Sequence, residues 1–456
     1  MSLLRPKSRL ARELSILFLA IPIIVAQLGG ILQGWADTIM VGQYGTPELS
    51  AAGFVNNVFN LFIFFLLGIS YATTPIVGAL YTQGKYKRVV RTLHESNVVN
   101  LLVSIVVVCL LFILYLNIDA LGQPQELLPL IRPYFIVLLL SLPFMALFNS
   151  MKQFSDALGN TQIAMWVMIG SNFLNIILNY ILIFSLDYGL WGAGIATLIS
   201  RALMPLAMAL AMKRWSPSTI NCSVLHFVGR LSSISRQLIK LGLPISVQLC
   251  LEACSFNISA LFMGWISAAA LAAHQVMGTV CQVAFMVVYG IGAAAAIRIA
   301  HYRGVGEWEE VRDTAKAAFV MSCGIDAILV AAICLMSRPI AHIFTTSQDV
   351  TVLFLSFIPA FICYQIGDCL QIIYANALRA IESVKAMMIY AVIAYVIVSI
   401  PLAYLFAFPL HLGAAGVWWS FPFGLTTAGL CYYFQFRRKV KVFLPRKNYD
   451  CFQKNM

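Results

Sequence analysis

One long apolar run, between Lys240 and Arg298, contains a single charged side chain, that of Glu252. The run is long enough for two membrane-spanning helices, because each helix needs roughly 20 residues to cross the hydrocarbon core. Comparable apolar runs recur along the chain, which is 61% hydrophobic and 11% charged, whereas ordinary globular proteins are about 25% charged. The sequence therefore predicts an all-α polytopic membrane protein, since it lacks the alternation over about ten residues that is typical of barrel strands.

The apolar segments and the charges between them predict the topology. We expect twelve transmembrane helices, at about residues 14–42, 52–77, 95–116, 130–151, 162–185, 190–212, 241–265, 268–297, 316–336, 351–376, 386–408 and 412–436. With the N-terminus in the cytoplasm, 27 of the 30 Lys and Arg residues fall in inward-facing segments, and Arg132 and Arg338 face outward. This bias follows the positive-inside rule, so we expect both termini in the cytoplasm. The net charge of +12 is then a topological signal and does not indicate nucleic-acid binding.

The second half of the chain repeats the first at a constant offset. Matching positions include Pro22 and Pro244, Gly42 and Gly264, Leu49 and Leu271, Gly68 and Gly290, and Gly84 and Gly306. Six helices per half bring both halves into the membrane in the same sense, which relates them by an axis along the membrane normal. We predict a first six-helix lobe at 1–212, a basic cytoplasmic connector at 213–240, a second six-helix lobe at 241–436 and a basic cytoplasmic tail at 437–456.

The main candidate functional residue is Glu252, because a lone carboxylate inside a membrane is energetically costly. Gln248 lies one turn earlier on the same helical face, and Tyr364 and Asp368 share a face of the tenth predicted helix. From the helical rise, Glu252 lies about 18 Å and Asp368 about 16 Å from the inner boundary. The similar depths predict one shared cation site. A purely structural Glu252, packed beside a partner helix, is the alternative.

A second set of polar residues lies in the first half. Gln33 and Asp37 are one turn apart near the outer end of the first helix, and Asn172, Asn175 and Asn179 form a polar stripe in the fifth. The amides are suited to hold Asp37 or to coordinate a cation. Two structural alternatives remain: Asp37 as a helix cap near the outer interface, and the amides as hydrogen-bonding contacts between helices.

Three further features lead to weaker expectations. Asp326 lies near the middle of the ninth helix, about 15 Å from Lys316, and is either a secondary site residue or a buried, hydrogen-bonded aspartate. Arg201 lies within the sixth helix and receives no role. The 11 cysteines show no zinc-ligand spacing with histidine, so we expect buried free thiols.

Several motifs resemble those of the multidrug and toxic compound extrusion (MATE) transporters, in particular their NorM-like branch. They are GWADTIMVGQYG around Asp37, LEACSF around Glu252, LAAHQV from Leu271, and YQIGD with Tyr364 and Asp368. Together with the duplication of six helices, they extend the resemblance over nearly the whole chain.

The resemblance implies a V-shaped pair of lobes that exports organic cations, driven by inward sodium or proton flow. In the NorM-like branch the cation site falls on Glu252, Asp368 and Tyr364, and a sodium ion would have the two carboxylates as ligands. In other branches the site lies around Asp37, accompanied by Asn175 and Asn179. We expect no cofactor besides the coupling ion, Na⁺ or H⁺. We also expect a monomer in the bacterial inner membrane, in contact with the lipid bilayer and without an obligatory protein partner.

Other functions are weighed against this expectation. A lipid-linked oligosaccharide flippase shares the architecture, but it should line its cavity with several Lys or Arg to bind pyrophosphate, and only Arg201 is predicted within the membrane. An embedded enzyme requires metal ligands or a nucleophile and base, and an ATP-driven pump requires a GxxxxGK[ST] loop. The sequence shows none of these patterns. We therefore expect a cation-coupled antiporter and not an enzyme.

Overall fold

The computed structural model describes residues 8–122, 124–215, 232–345 and 347–444. In the first half the helices are α1 Arg9–Tyr44, α2 Thr46–Tyr71, α3 Thr73–Thr82, α4 Tyr86–Leu116, α5 Leu128–Ala157, α6 Thr161–Tyr180 and α7 Gly189–Trp215. In the second half they are α8 Ser233–Ile266, α9 Ala268–Gly304, α10 Trp308–Leu335, α11 Ser337–Phe344, α12 Gln348–Ala380, α13 Val384–Ala391, α14 Ile400–Ala407 and α15 Gly413–Phe443. Wider π-helical segments, Ile181–Ser185 and Val392–Ser399, follow α6 and α13.

The long helices form where the apolar runs predict them. Within the described residues, 11 helices are long and apolar enough to cross a membrane. Four of these spans are composite. Helix α2 continues into α3, α6 continues into its π-helical segment, α13 continues through a π-helical segment into α14, and a 3₁₀ turn at Gln125–Leu127 precedes α5. The 31-residue helix α15 occupies the place of the twelfth predicted helix but is not among the 11. The predicted all-helical membrane architecture is confirmed.

The helices extend beyond the apolar runs that reveal them in the sequence. Helix α7 runs to Trp215 and α8 begins at Ser233, so both ends of the predicted connector are helical. The hydroxyl of Ser232 accepts a hydrogen bond from the backbone N–H of Ile234, which caps the start of α8. Helix α15 likewise reaches Phe443. Residues 216–231 and 445–456 lie outside the described residues, and the short helix α11 was not predicted.

The contacts between the halves follow the internal repeat. A Cβ added to Gly68 on α2 would overlap Ser246 on α8, and a Cβ added to Gly290 on α9 would overlap Ile24 on α1. In the repeat, Gly68 corresponds to Gly290 and Ile24 corresponds to Ser246, so each contact is the equivalent of the other. The two contacts are therefore related by a pseudo-two-fold axis between the halves.

That axis passes between the ends of α3 and α9. Gly78 and Ala300 are equivalent in the repeat, and a Cβ added to Gly78 would lie 2.9 Å from the Cβ of Ala300. Thr82 and Gly304, also equivalent, meet one turn later. Because each of these positions touches its own counterpart, they lie on the axis itself.

The halves are joined at one end of the molecule. This end, termed the basic end, is where α1, α4, α8 and α10 begin and where α3, α9 and α12 finish. Contacts between the halves here include Arg12 with Glu310 (2.9 Å), Glu95 with Ser232 and Ser235 (2.6 and 2.7 Å), and Arg303 with the carbonyl of Pro75 (3.0 Å). Nearer the opposite end, a Cβ added to Gly30, Gly34, Gly53 or Gly278 would meet nothing within 4 Å.

Candidate functional site

The carboxylate of Glu252 is held by neutral amides from two helices. Gln248, one turn earlier on α8, donates from Nε2 to Oε2 of Glu252 at 2.8 Å, and Gln371 on α12 donates to the same oxygen at 3.1 Å. Gln371 lies one turn after Asp368, so the polar faces of α8 and α12 meet at this point. Glu252 and Asp368 are close enough to interact electrostatically. The structure thus places both carboxylates in one cluster, in which Asp368 is buried and Glu252 is partly buried.

Several oxygen atoms around this cluster have no hydrogen-bond donor. Asp368 is 2% exposed, and among the described residues its Oδ1, the Oε1 of Gln371 and the Oε1 of Gln365 have no partner. Buried polar atoms are normally paired, because burying an unpaired group is costly. Hard cations prefer oxygen ligands, so this arrangement fits a bound cation or proton.

A sodium ion here would depend on more than carboxylates. In the part of the chain that the structure describes, no group of three or more His, Cys, Asp or Glu residues is placed to hold a metal ion. Glu252 and Asp368 supply only two carboxylates, so amide or hydroxyl oxygens would have to complete the coordination.

Tyr364 and Asp326 flank the cluster in different ways. Tyr364 is buried on α12, with its ring stacked on Phe361 at a centroid distance of 6.4 Å and set against the edge of Phe421 at the same distance. Asp326 on α10 is buried and accepts a hydrogen bond of 3.0 Å from Nε2 of Gln365. Asp326 also interacts electrostatically with Asp368. It is therefore a hydrogen-bonded aspartate at the edge of the cluster.

The sequence analysis missed Arg379. Its prediction as part of a cytoplasmic loop at 377–385 is wrong, because it lies within α12 and is 6% exposed. Its Nη2 donates to Oε1 of Gln248 at 2.7 Å, and its guanidinium lies 5.3 Å from the ring centroid of Tyr71, in the first half. Arg379 follows Asp368 by eleven residues, which is close to three helical turns and places both on one face. That spacing is the signal that would have revealed it.

Lys152 was also predicted in a loop, and this too is wrong. It lies within α5, is 8% exposed and pairs with Asp156 at 3.1 Å. Lys152, Asp156 and Arg379 line a small cavity at the boundary between the halves. The hydroxyl of Tyr289 donates to that of Tyr71 across the same boundary at 2.6 Å. The Glu252 cluster is thereby connected through Gln248 and Arg379 to the contact between the halves.

A separate network surrounds Asp37 in the first half. Nδ2 of Asn179 lies 2.6 Å from Oδ1 of Asp37 and 3.2 Å from Oδ1 of Asn175, and Gln33 interacts with the same carboxylate. Both asparagines are fully buried. Helix α1 continues to Tyr44, seven residues beyond Asp37, so the alternative in which Asp37 caps the helix is wrong.

Arg201 and Asn172 differ in their relation to this network. Arg201 donates to the hydroxyl of Ser141 at 2.9 Å and interacts electrostatically with Asp37. The Nδ2 of Asn172 is buried and has no hydrogen-bond partner among the described residues. The Asp37 and Glu252 networks share no residue, so each half has its own polar cluster.

Comparison with known proteins agrees with the repeat. The model of the MatE family matches residues 22–181 and again 244–405, so the two matches begin at Pro22 and Pro244, an equivalent pair of the repeat. The probable multidrug resistance protein NorM of Bradyrhizobium diazoefficiens is 32% identical over 92% of each chain. The multidrug resistance protein NorM of Vibrio cholerae is 26% identical over 90% of this chain and 92% of its own.

Solved structures share the fold. An outward-facing multidrug resistance MATE family transporter of the MOP superfamily matches with a TM-score of 0.86 at 20% identity, over 95% of this chain and 96% of its own. A eukaryotic MATE transporter matches with a TM-score of 0.84 at 19% identity, over 96% of this chain and 100% of its own. At these identities the likeness concerns the fold alone.

Proposed function

Because this chain belongs to the multidrug and toxic compound extrusion (MATE) transporter family, we propose that it is a cation-coupled antiporter that exports amphipathic, cationic drugs and toxic compounds. Membership makes it a transporter and not an enzyme, and it confirms the family resemblance expected from the motifs. The observation that carries the proposal is the electrostatic proximity of the partly buried Glu252 to the buried Asp368. Neutral amides donate to Glu252, and an oxygen of Asp368 has no donor among the described residues. A site of this kind attracts a cation or a proton.

Coupling follows from competition for this negative charge. A buried carboxylate without a counter-ion is unfavourable, so a coupling ion and a cationic drug both stabilise the cluster. Binding of one then weakens binding of the other. If the two occupants also differ in affinity for the inward-open and outward-open states, inward ion flow drives outward drug movement. The unpartnered oxygens of the cluster support either Na⁺ or H⁺ as the coupling ion.

Arg379 supplies a physical connection between this cluster and the movement of the halves. It is bonded to Gln248, which is bonded to Glu252, and it stacks on Tyr71 of the other half. Neutralising Glu252 changes the electrostatic balance felt by Arg379. We propose that occupancy of the cluster is thereby transmitted to the contact between the halves.

The Asp37 network is the second candidate for ion coupling or gating. It lies towards the end opposite the basic end, and a Cβ added to Gly30 or Gly34 on the same helix would meet nothing within 4 Å. Its carboxylate is held by Asn179 and lies near Arg201, which already compensates part of its charge. Arg379 likewise compensates part of the charge of Glu252, but Asp368 has only acidic electrostatic neighbours, Glu252 and Asp326, among the described residues. This difference favours the second half as the coupling site.

The buried cations do not favour the flippase alternative. Arg201 was expected to be the only cation within the membrane, and Lys152 and Arg379, which were predicted in loops, are buried in helices as well. Each of the three has its own partner: Ser141 for Arg201, Asp156 for Lys152 and Gln248 for Arg379. Lys152 and Arg379 line the same small cavity, but Asp156 lines it as well and pairs with Lys152, and Arg201 is not among its lining residues. The three cations therefore do not converge as a pyrophosphate site requires.

We propose that the protein lies in the inner membrane of a bacterium, because the similar NorM proteins are bacterial. The basic end would face the cytoplasm, with both termini inside and the opposite end outside. We propose a monomer, divided into the lobes 1–212 and 241–436. Reporter fusions that place the connector outside would contradict this orientation.

The test is efflux of ethidium from proteoliposomes in which sodium and proton gradients are imposed separately. We expect one gradient to drive efflux, and Glu252→Gln to remove that dependence. Glu126→Gln, which changes an exposed carboxylate outside the cluster, is the matched control. Efflux that responds to neither gradient would contradict ion coupling.

A further inference from the structure

A cavity of about 640 Å³ lies between α10, α12 and α15, in the second half and towards the basic end. It shares no lining residue with the Glu252 cluster. Four basic side chains line it: Arg312 and Lys316 on α10, and Arg437 and Lys441 on α15. The spacing of four residues in each pair places both members on one helical face.

This basic rim is largely uncompensated. Arg312 forms an ion pair with Asp313 at 2.9 Å. Lys316, Arg437 and Lys441 have no ion pair within the described ranges, and all four cations are exposed. The cavity therefore presents a net positive charge to its surroundings.

Behind the rim the cavity is aromatic. Tyr374 on α12 is buried, and its ring lies 5.0 Å from that of Tyr433, 5.6 Å from that of Phe436 and 6.0 Å from that of Phe319. Helix α10 begins at the basic end and α15 finishes there. Phe319 and Tyr433 therefore lie deeper in the membrane than the cations on the same helices.

We propose that this cavity binds an anionic phospholipid from the membrane leaflet at the basic end. The cations would contact the phosphodiester, and the acyl chains would follow the exposed side chains of Val320 and Leu430, which also line the cavity. The cavity has charge at the membrane surface and apolar surface below it. A phospholipid has the same arrangement, with its charged headgroup above its acyl chains. Basic pockets between transmembrane helices on the cytoplasmic side suit acidic headgroups.

Charge complementarity favours the lipid over the chain's own C-terminus. The 12 residues after Leu444 carry three basic side chains and one acidic side chain. A basic segment is repelled by a basic rim. A free inorganic anion would contact the rim but would leave the aromatic interior unused.

The rim is a property of the second half and not of the repeated architecture. At the offset of the repeat, Arg312 and Lys316 correspond to Val90 and His94 on α4. The positive-inside rule requires basic residues near the membrane surface but does not require them to converge on one cavity. The convergence therefore points to a ligand.

The test measures lipid retention by the intact protein. Wild type is reconstituted with equimolar phosphatidylglycerol and phosphatidylcholine, released into mild detergent, and examined by native mass spectrometry. We expect retained phosphatidylglycerol to exceed phosphatidylcholine. The variant R312Q/K316Q/R437Q/K441Q should lose this excess, since each cation near an anionic headgroup contributes roughly fivefold to affinity. The control R438Q/K439Q removes two exposed cations of α15 outside the cavity and should retain the excess.

A second variant keeps the charges and fills the apolar part. Leu430→Trp should reduce retention while gel filtration and thermal unfolding show a folded protein. Unchanged retention in this variant, or in the fourfold variant, would overturn the proposal. So would an equal loss in R438Q/K439Q, or complete displacement of the lipid from wild type by inorganic phosphate, which would show an anion site only.

Discussion

Glu252 and Asp368 should behave as one functional unit. They interact electrostatically, and Gln371 connects their helices by a hydrogen bond to Glu252. We expect Glu252→Gln and Asp368→Asn each to lower gradient-driven efflux by at least about tenfold, as for loss of a group that supports a bound ion. Groups that act together show non-additive losses, so the double variant should be little worse. The measurement is a double-mutant cycle on efflux rate at matched expression, and additive losses would show two separate sites.

Arg379 should affect coupling more than drug binding. Arg379→Gln removes the cation that is bonded to Gln248 and stacked on Tyr71. We expect the affinity for ethidium in detergent to change by no more than about threefold, which is the effect of losing one weak contact. Gradient-driven efflux should fall severalfold. Arg379→Lys should restore part of the efflux because it restores the charge. Arg214→Gln, an exposed arginine, is the control, and equal loss of binding and efflux would contradict a coupling role.

Asp37 should be required for transport and not for folding. Asp37→Asn preserves the shape of the side chain but removes the charge near Asn179 and Arg201. We expect lower efflux with unfolding temperature within a few degrees of wild type, since about 1 kcal/mol shifts that temperature by about 2–4 °C in proteins of 150–250 residues and by less in a longer chain. Wild-type efflux from a well-expressed variant would return Asp37 to a structural role.

Single residues show where the sequence was informative and where it was not. Glu252, Asp368 and Asp37 stand out because each is the one acidic residue in a long apolar stretch. Arg379 and Lys152 were assigned to loops because hydropathy places any charge at the edge of an apolar run at the membrane surface. Their burial depends on partners that sequence order does not reveal: Gln248 lies 131 residues from Arg379 along the chain.

At the scale of helices, the crossing of α2 with α8 depends on Gly68. A Cβ at this position would overlap the backbone of Ser246, which cannot move aside as a flexible side chain can. We expect Gly68→Ala to destabilise the protein by about 1–3 kcal/mol, the usual cost of overpacking, as measured by thermal unfolding in detergent. Gly53→Ala on the same helix meets nothing within 4 Å and should be neutral. Equal effects of the two substitutions would show that α2 and α8 can move apart without loss of stability.

Helix existence follows from apolar length, whereas helix detail does not. The break at Ala72 between α2 and α3, and the π-helical segment Val392–Ser399, leave no mark in the hydropathy of the chain. The π-helical segment nevertheless carries Tyr395, which interacts with Glu252. Such departures depend on packing against neighbouring helices, which local sequence patterns do not encode.

For the whole molecule, the proposed transport by alternating access would require the basic end to open. Cysteines at Thr82 and Gly304, which meet on the axis between the halves, should allow a short bifunctional reagent to hold this end closed. In a background without native cysteines, we expect crosslinking to abolish efflux and a cleavable reagent to restore it on reduction. The control pair is Thr73 and Ser96, whose hydroxyls lie 2.6 Å apart within the first half.

Crosslinking of the control pair should leave transport intact, because the two residues belong to one half and need not separate. Full efflux from a protein crosslinked between positions 82 and 304 would contradict movement at the basic end. Loss of efflux in both pairs would attribute the effect to rigidity within a half.

The self-contacts of Gly78 with Ala300 and of Thr82 with Gly304 have a consequence for the architecture. In a symmetric homodimer, the residues on the two-fold axis are those that touch their own copies. This chain has the geometry of such a dimer joined into one polypeptide. Because the two halves are separate segments of one polypeptide, the sequence of each half can change without the other. One half can therefore carry the Glu252 cluster and the other the Asp37 network. Only the residues on the axis have to be substituted in pairs, because a larger side chain there contacts its counterpart in the other half.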